Sequence, residues 1–127
     1  MPRKEEDFPV ATEEWGWRFH HVGIPTQEIP ENSTYIEKFR FRVHGFDESP
    51  VGIEWMQFDE DSPFPNIIKN IPHLAFTVQN LEDEIQNRNL EILIAPNEPM
   101  NGLKVAMVQM DGAPVELMEF SMQSESH

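Results

Sequence analysis

The chain has 127 residues, 39% of them hydrophobic, and 23 acidic side chains against 9 Lys and Arg give it a formal charge of −14. That length predicts one domain burying roughly 65–70% of its unfolded surface, and the acidity argues against nucleic-acid partners and anionic membranes, both of which need a basic face. Cysteine is absent, so disulfides and thiolate chemistry are excluded and oxygen and imidazole are the metal ligands left.

Residues 1–16 read as a polar N-terminal arm and residues 121–127 as a loose tail, with one domain over 17–120. Met-Pro-Arg-Lys-Glu-Glu-Asp at the start has no apolar stretch behind its cations, and no run reaches the ~20 apolar residues of a membrane span. A soluble cytoplasmic protein is the expectation. The first strand is read over Trp17 to Ile24 and ends at Pro25. A second runs from Tyr35 to His44, where Phe39, Phe41 and Val43 alternate with Lys38, Arg40, Arg42 and His44. That cationic stripe reads either as a solvated face or as a site capturing a carboxylate or phosphate. A third strand, Gly52 to Phe58, runs into the acidic Asp59-Glu60-Asp61, read as a solvated loop.

The second half opens with the strand Pro72 to Val78. Asn80 is a good N-cap, with Glu82, Asp83 and Glu84 in the favoured first turn, so a short helix is predicted over 81–89. Glu91 to Ala95 is read as a strand stopped by Pro96. Leu103 to Met110 and Val115 to Phe120 follow, separated by the Asp111-Gly112 turn. Half-modules of about 17–65 and 72–120 result.

The halves repeat each other. His21-Val22-Gly23-Ile24 lies over His73-Leu74-Ala75-Phe76, and Gly52 to Phe58 over Pro114 to Phe120, matching Glu54 with Glu116. His21 and Glu54 are 33 residues apart, His73 and Glu116 are 43 apart. The difference is about one helix with its connection, which the first half lacks. Two halves that each supply one His and one Glu imply pseudo-twofold symmetry, with His21, Glu54, His73 and Glu116 converging on one divalent ion: Zn, Ni, Co, Mn or Fe. Glu116 lies in an apolar strand, where a carboxylate costs several kcal/mol unless paired, protonated or metal-bound. His20, of opposite parity to His21, reads as a surface or packing residue, or as the ligand itself if the register slips by one. Glu119, of opposite parity to Glu116, reads as solvated, and so does Gln57.

These pieces, ending in Asp111-Gly112-Ala113-Pro114-Val115-Glu116-Leu117-Met118-Glu119-Phe120, resemble the vicinal oxygen chelate superfamily, which includes glyoxalase I, methylmalonyl-CoA epimerase, extradiol dioxygenases and fosfomycin-resistance proteins. The resemblance covers about residues 17–120. It implies an α+β fold of paired βαβββ modules forming an open mixed β-barrel, the first module with its helix shortened or absent. Carried over residue by residue, it implies metal ligation by His21, Glu54, His73 and Glu116. Glu54 or Glu116 would then act as general base in a metal-dependent lyase or isomerase of a small oxygen-rich substrate. A non-catalytic, resistance-type small-molecule binding protein is the alternative, and a ring-cleaving dioxygenase a third reading. The exposed edges of half-barrels and the tryptophans near the N-terminus make a homodimer the expected assembly.

Overall fold

The computed structural model describes residues 3–121, so the tail read over 121–127 lies, apart from Ser121, outside the described residues. The strands are β1 (Arg18–Pro25), β2 (Thr34–Ile36), β3 (Phe41–His44), β4 (Ile53–Phe58), β5 (His73–Thr77), β6 (Glu91–Met100), β7 (Leu103–Met110) and β8 (Ala113–Phe120). Three short helices accompany them: α1 (Val10–Glu13), α2 (Asn66–Asn70) and α3 (Leu81–Asn87). All eight strands form one curled mixed sheet in the order β2-β3-β4-β1-β5-β8-β7-β6. Within each half, the opening and closing strands pair in parallel, β1 with β4 and β5 with β8. The halves join where β1 and β5 pair antiparallel. This is the α+β open half-barrel that the resemblance implies.

The helix of the second half is built by local chemistry. The Asn80 side chain accepts from the Asp83 N–H at 3.0 Å, and three acidic residues occupy the first turn, where the helix dipole favours anions. Asn89, at φ 54°, ends the helix. Its N–H bonds the Gln86 carbonyl while the Leu90 N–H bonds that of Ile85, the paired closure that satisfies orphan carbonyls at a helix end. Leu81 and Ile85 then bury themselves with Trp17, Val78, Val108, Val115 and Leu117 on the outer face of the second half. Between β1 and β2, residues 26–33 contain no helix, so the corresponding outer face of the first half lacks that cover.

Four features depart from the sequence reading. The run from Tyr35 to His44 is two strands, not one. Residues 37–40 form a turn, with Arg40 at φ 56° and its N–H bonded to the Glu37 carbonyl. The cationic stripe is therefore broken: Arg40 pairs with Asp61, Arg42 lies over the Tyr35 ring at 5.0 Å, and Lys38 reaches Asn97. β6 runs through Pro96 rather than ending there. It is the outermost strand and carries register shifts on both sides of the proline, which is where a sheet tolerates a missing donor. Glu119 accepts the Leu81 N–H at 3.0 Å, and Gln57 donates to the Gln27 carbonyl at 2.7 Å, so neither is simply solvated. Residues 10–17 dock onto α3: Trp17 Nε1 donates to Glu84 at 2.8 Å, and the Arg88 guanidinium lies 3.9 Å from the Trp15 ring centre.

Because Leu81 is fully buried beneath the sheet, Leu81→Ala should destabilise the protein by about 2–5 kcal/mol. Removing the cap with Asn80→Ala should cost about 1 kcal/mol. Urea unfolding of both variants checks the order; equal losses would mean that α3 is not anchored through Leu81.

Candidate metal centre

The register of the four central strands assembles the site. Gly23 on β1 stands opposite His73 on β5 and beside Glu54 on β4. Ala75 on β5 stands opposite His21 on β1 and beside Glu116 on β8. Two parallel rows result, Glu54–Gly23–His73 and His21–Ala75–Glu116, related by exchange of the halves. Side chains directly across from one another in adjacent strands share a face, so both rows point to the concave side. Each row contains one imidazole, one carboxylate and, between them, a residue small enough for the imidazole to lean over.

The leaning is tight at Gly23. A Cβ built there would come within 2.2 Å of His73 Cε1 and 2.6 Å of the Met56 sulfur. The glycine is needed for room, since the ring occupies the space a side chain would take. Both imidazoles are buried, at 5% exposure for His21 and 4% for His73.

The four side chains meet at their tips. Glu116 Oε1 lies 3.1 Å from His73 Nε2 and 3.4 Å from His21 Nε2, while Glu54 Oε1 lies 3.4 Å from His21 Nε2. Ligand atoms of His21, His73 and Glu116 fall within 4.8 Å of one another. With metal–ligand bonds of about 2.0–2.2 Å, neighbouring donors around one ion sit about 3–3.5 Å apart. The donor set and its spacing therefore fit a divalent ion that accepts nitrogen and oxygen, and His21, His73 and Glu116 could hold it. Glu54 stands at the edge of that group, in contact through His21.

The proton affinities of the two carboxylates are shifted in opposite directions. Burial alone would raise the pKa of Glu116, but hydrogen bonds from His21 and His73, together with their charges, bring it from 4.5 down to about 2. Glu54 is also pushed up by burial; the His21 charge opposes this, the Glu116 charge adds to it, and the net shift is upward. For His21, burial favours the neutral ring, yet the Glu116 bond and the charges of Glu116 and Glu54 outweigh it and raise its pKa above 6.5. The signs follow directly. Without metal, ionised Glu116 stabilises the fold above pH 4.5 and loses that contribution as pH falls toward 2. The His21 contribution is complete below pH 6.5 and fades as pH rises through its raised value.

The ring nitrogens facing away from the centre differ. His21 Nδ1 lies 2.8 Å from His20 Nδ1, and the His20 ring stacks on Phe46 with centroids 4.9 Å apart. His20 was expected to face away from His21. The register shift between Phe19 and His21 breaks the alternation and turns both rings toward the concave side. His73 Nδ1 is buried without a hydrogen-bond partner among the described residues, so packing over Gly23 holds its ring where a second hydrogen bond holds that of His21.

Above the centre lies a cavity of about 820 Å³, with His21, Glu54, His73 and Glu116 on its floor. Phe39, Phe41 and Phe64, which contribute to its wall, pack on one another with centroids 4.8 and 5.0 Å from Phe64. In the sequence Phe58 and Phe64 read as core or dimer-interface residues, with a pocket wall as the alternative; the structure puts Phe64 on the wall, beside Phe39 and Phe41 of the β2–β3 segment.

The solved structure of a hypothetical protein, BH1468 from Bacillus halodurans C-125, superposes with a TM-score of 0.64 at 18% identity, covering 82% of this chain and 94% of that one. Methylmalonyl-CoA epimerase from Mycobacterium tuberculosis superposes with a TM-score of 0.59 at 15% identity, covering 87% of this chain and 92% of its own. The chain has the vicinal oxygen chelate fold. No family model and no curated protein matches its sequence. In this chain both His/Glu rows converge on the concave face of the half-barrel. No helix among the described residues is long and apolar enough to cross a membrane.

Gly23→Ala should leave the fold intact but displace the His73 ring, weakening divalent-metal affinity at least tenfold by isothermal titration. Ala75→Gly, the change in the equivalent position, should alter it little. Unchanged affinity in Gly23→Ala would remove His73 from the ligand set.

Proposed function

We propose that this chain is a metal-dependent isomerase or lyase that removes a proton from carbon beside a carbonyl in a small oxygen-rich substrate. The observation that carries the reading is the convergence of two buried imidazoles and two carboxylates, from both halves, on the floor of one large cavity. The divalent ion would polarise the substrate carbonyl and stabilise the enolate-like charge left by deprotonation.

His21, His73 and Glu116 hold that ion in this reading, with Glu116 kept ionised by both imidazoles. Glu54 is the general base. It makes a single 3.4 Å contact and lies outside the compact three-residue group. Burial raises its proton affinity, which moves a carboxylate toward the range useful for proton transfer near neutrality. The apolar walls keep water from the carbanion-like centre. Each chain carries a whole His/Glu set, and the half-exposed Trp55 on the first half, which lacks a helix, supports a homodimer formed through that face.

Elemental analysis after purification and reloading tests the centre: about one divalent ion per chain is expected, lost in His73→Ala and Glu116→Gln. Exchange of substrate C–H for deuterium, followed by NMR across a panel of 2-oxo acids and β-dicarbonyl compounds, tests the chemistry. Glu54→Gln should keep the metal and lose about 10²–10⁴-fold in exchange rate. A metal-loaded protein that binds but never exchanges would be the resistance-type binder instead.

Protons and metal compete for the His21 nitrogen. Because its pKa is raised above 6.5, metal affinity should begin to fall on acidification while the pH is still above 6.5, and drop further below it. Zinc titrations at pH 8, 7 and 6 measure it; a flat profile would exclude His21 as a ligand.

A further inference from the structure

The cavity is far larger than its polar floor, and its walls carry chemistry of their own. We infer that it selects a substrate whose oxygen-rich head is carried on an extended, uncharged and largely apolar body, and that it rejects bodies bearing phosphate. The head rests on the function proposed above; the body does not.

Three observations converge. First, the volume of about 820 Å³ lies near the upper end of the ~300–1,000 Å³ typical of pockets for drug-sized ligands, well beyond what a three- or four-carbon acid fills. Second, the wall is built for contact with apolar surface. Phe39 stacks on Phe64, Phe41 meets Phe64 edge to face, and Phe41 stacks on Phe58 at 5.4 Å. Rings held in a mutually packed set present fixed faces and edges to a flat or aliphatic guest.

Third, cationic groups able to bind phosphate are nearly absent from this wall. Phosphate recognition calls for Arg forks, Lys, or the backbone N–H groups of a long helix N-terminus. Among the described residues no arginine lines the cavity. The two nearest in sequence are occupied elsewhere, Arg40 with Asp61 and Arg42 over Tyr35. Among the described residues Lys38 is the one Lys of the wall, its Nζ 3.4 Å from Asn97 Oδ1, and His44 is the one imidazole outside the His20, His21 and His73 group. Against it stand the carboxylates of Glu37, Asp47 and Glu48 on the same wall. A polyphosphate would meet net repulsion.

The Lys38–Asn97 contact also brings the two margins of the sheet together. Lys38 sits in the turn joining β2 to β3 at one margin of the sheet, and Asn97 lies in β6 at the other. Their hydrogen bond links the two margins at the mouth of the half-barrel.

The test uses the neutral apolar dye N-phenyl-1-naphthylamine and, as the polyanionic comparison, coenzyme A. Purified protein should bind the dye with micromolar affinity, with or without chelator, because the aromatic wall does not depend on the ion. Phe64→Ala should weaken this at least tenfold and Phe64→Leu, which keeps an apolar side chain there, by less; circular dichroism checks that both fold. Coenzyme A should neither bind below millimolar concentration nor displace the dye. Failure of the dye to bind, binding indifferent to both Phe64 substitutions, or coenzyme A competing within tenfold of the dye would each overturn the inference. Dye binding by a protein that takes up no metal would instead sink the proposed function while leaving the wall assignment standing.

Discussion

The antiparallel register of β1 against β5 is the constraint on which the rest of the molecule depends. With Gly23 facing His73 and His21 facing Ala75, each imidazole crosses the junction between halves and leans over a small residue of the other. A slip of one residue in either strand would turn its imidazole to the outer face and bring Val22 or Leu74 inward in its place. It would also separate Glu54 and Glu116 from their partners, since the parallel pairings with β4 and β8 are keyed to the same two strands. Fold and centre are thus specified by one set of ladder hydrogen bonds.

Symmetry then explains what the halves share, and its breaking explains what they do not. The second half has α3, with Leu81 and Ile85 driven into the outer face, and its strands are correspondingly the more deeply buried. The first half has no such helix, and instead contributes the β2–β3 hairpin, whose aromatic side chains form one wall of the cavity. The two carboxylates diverge in the same way. Glu116 receives both imidazoles, whereas Glu54 touches one. Near-identical sequence positions therefore end up with different proton affinities, which is how two like groups acquire separate roles.

Much of this was legible in the residues. The alignment of His21 with His73 and Glu54 with Glu116 carries over strand for strand, because a repeat of period-two segments preserves both spacing and face. Strand parity does not carry through irregularities. The turn at residues 37–40 contains neither Gly nor Pro, so the alternation from Tyr35 to His44 ran unbroken across it. Pro96 looked like a terminator because nothing local marks a strand as the outermost one. His20 was assigned to the wrong face because a bulge adds one residue without leaving a compositional trace. The hydrogen bond from Leu81 to Glu119 joins residues 38 apart, beyond the reach of any local rule.

The mixed parentage of the rows has a mechanical consequence. Glu54 and Gly23 come from one half and His73 from the other; His21 comes from the first and Ala75 and Glu116 from the second. Neither half alone owns a complete row, so the centre exists only while the halves are docked. An ion bound there would act as a rivet through the seam, adding its binding free energy to the cohesion of the two lobes. Stretching the chain from its ends would load that seam, and the three side chains that would hold the ion, His21, His73 and Glu116, would bear the tension.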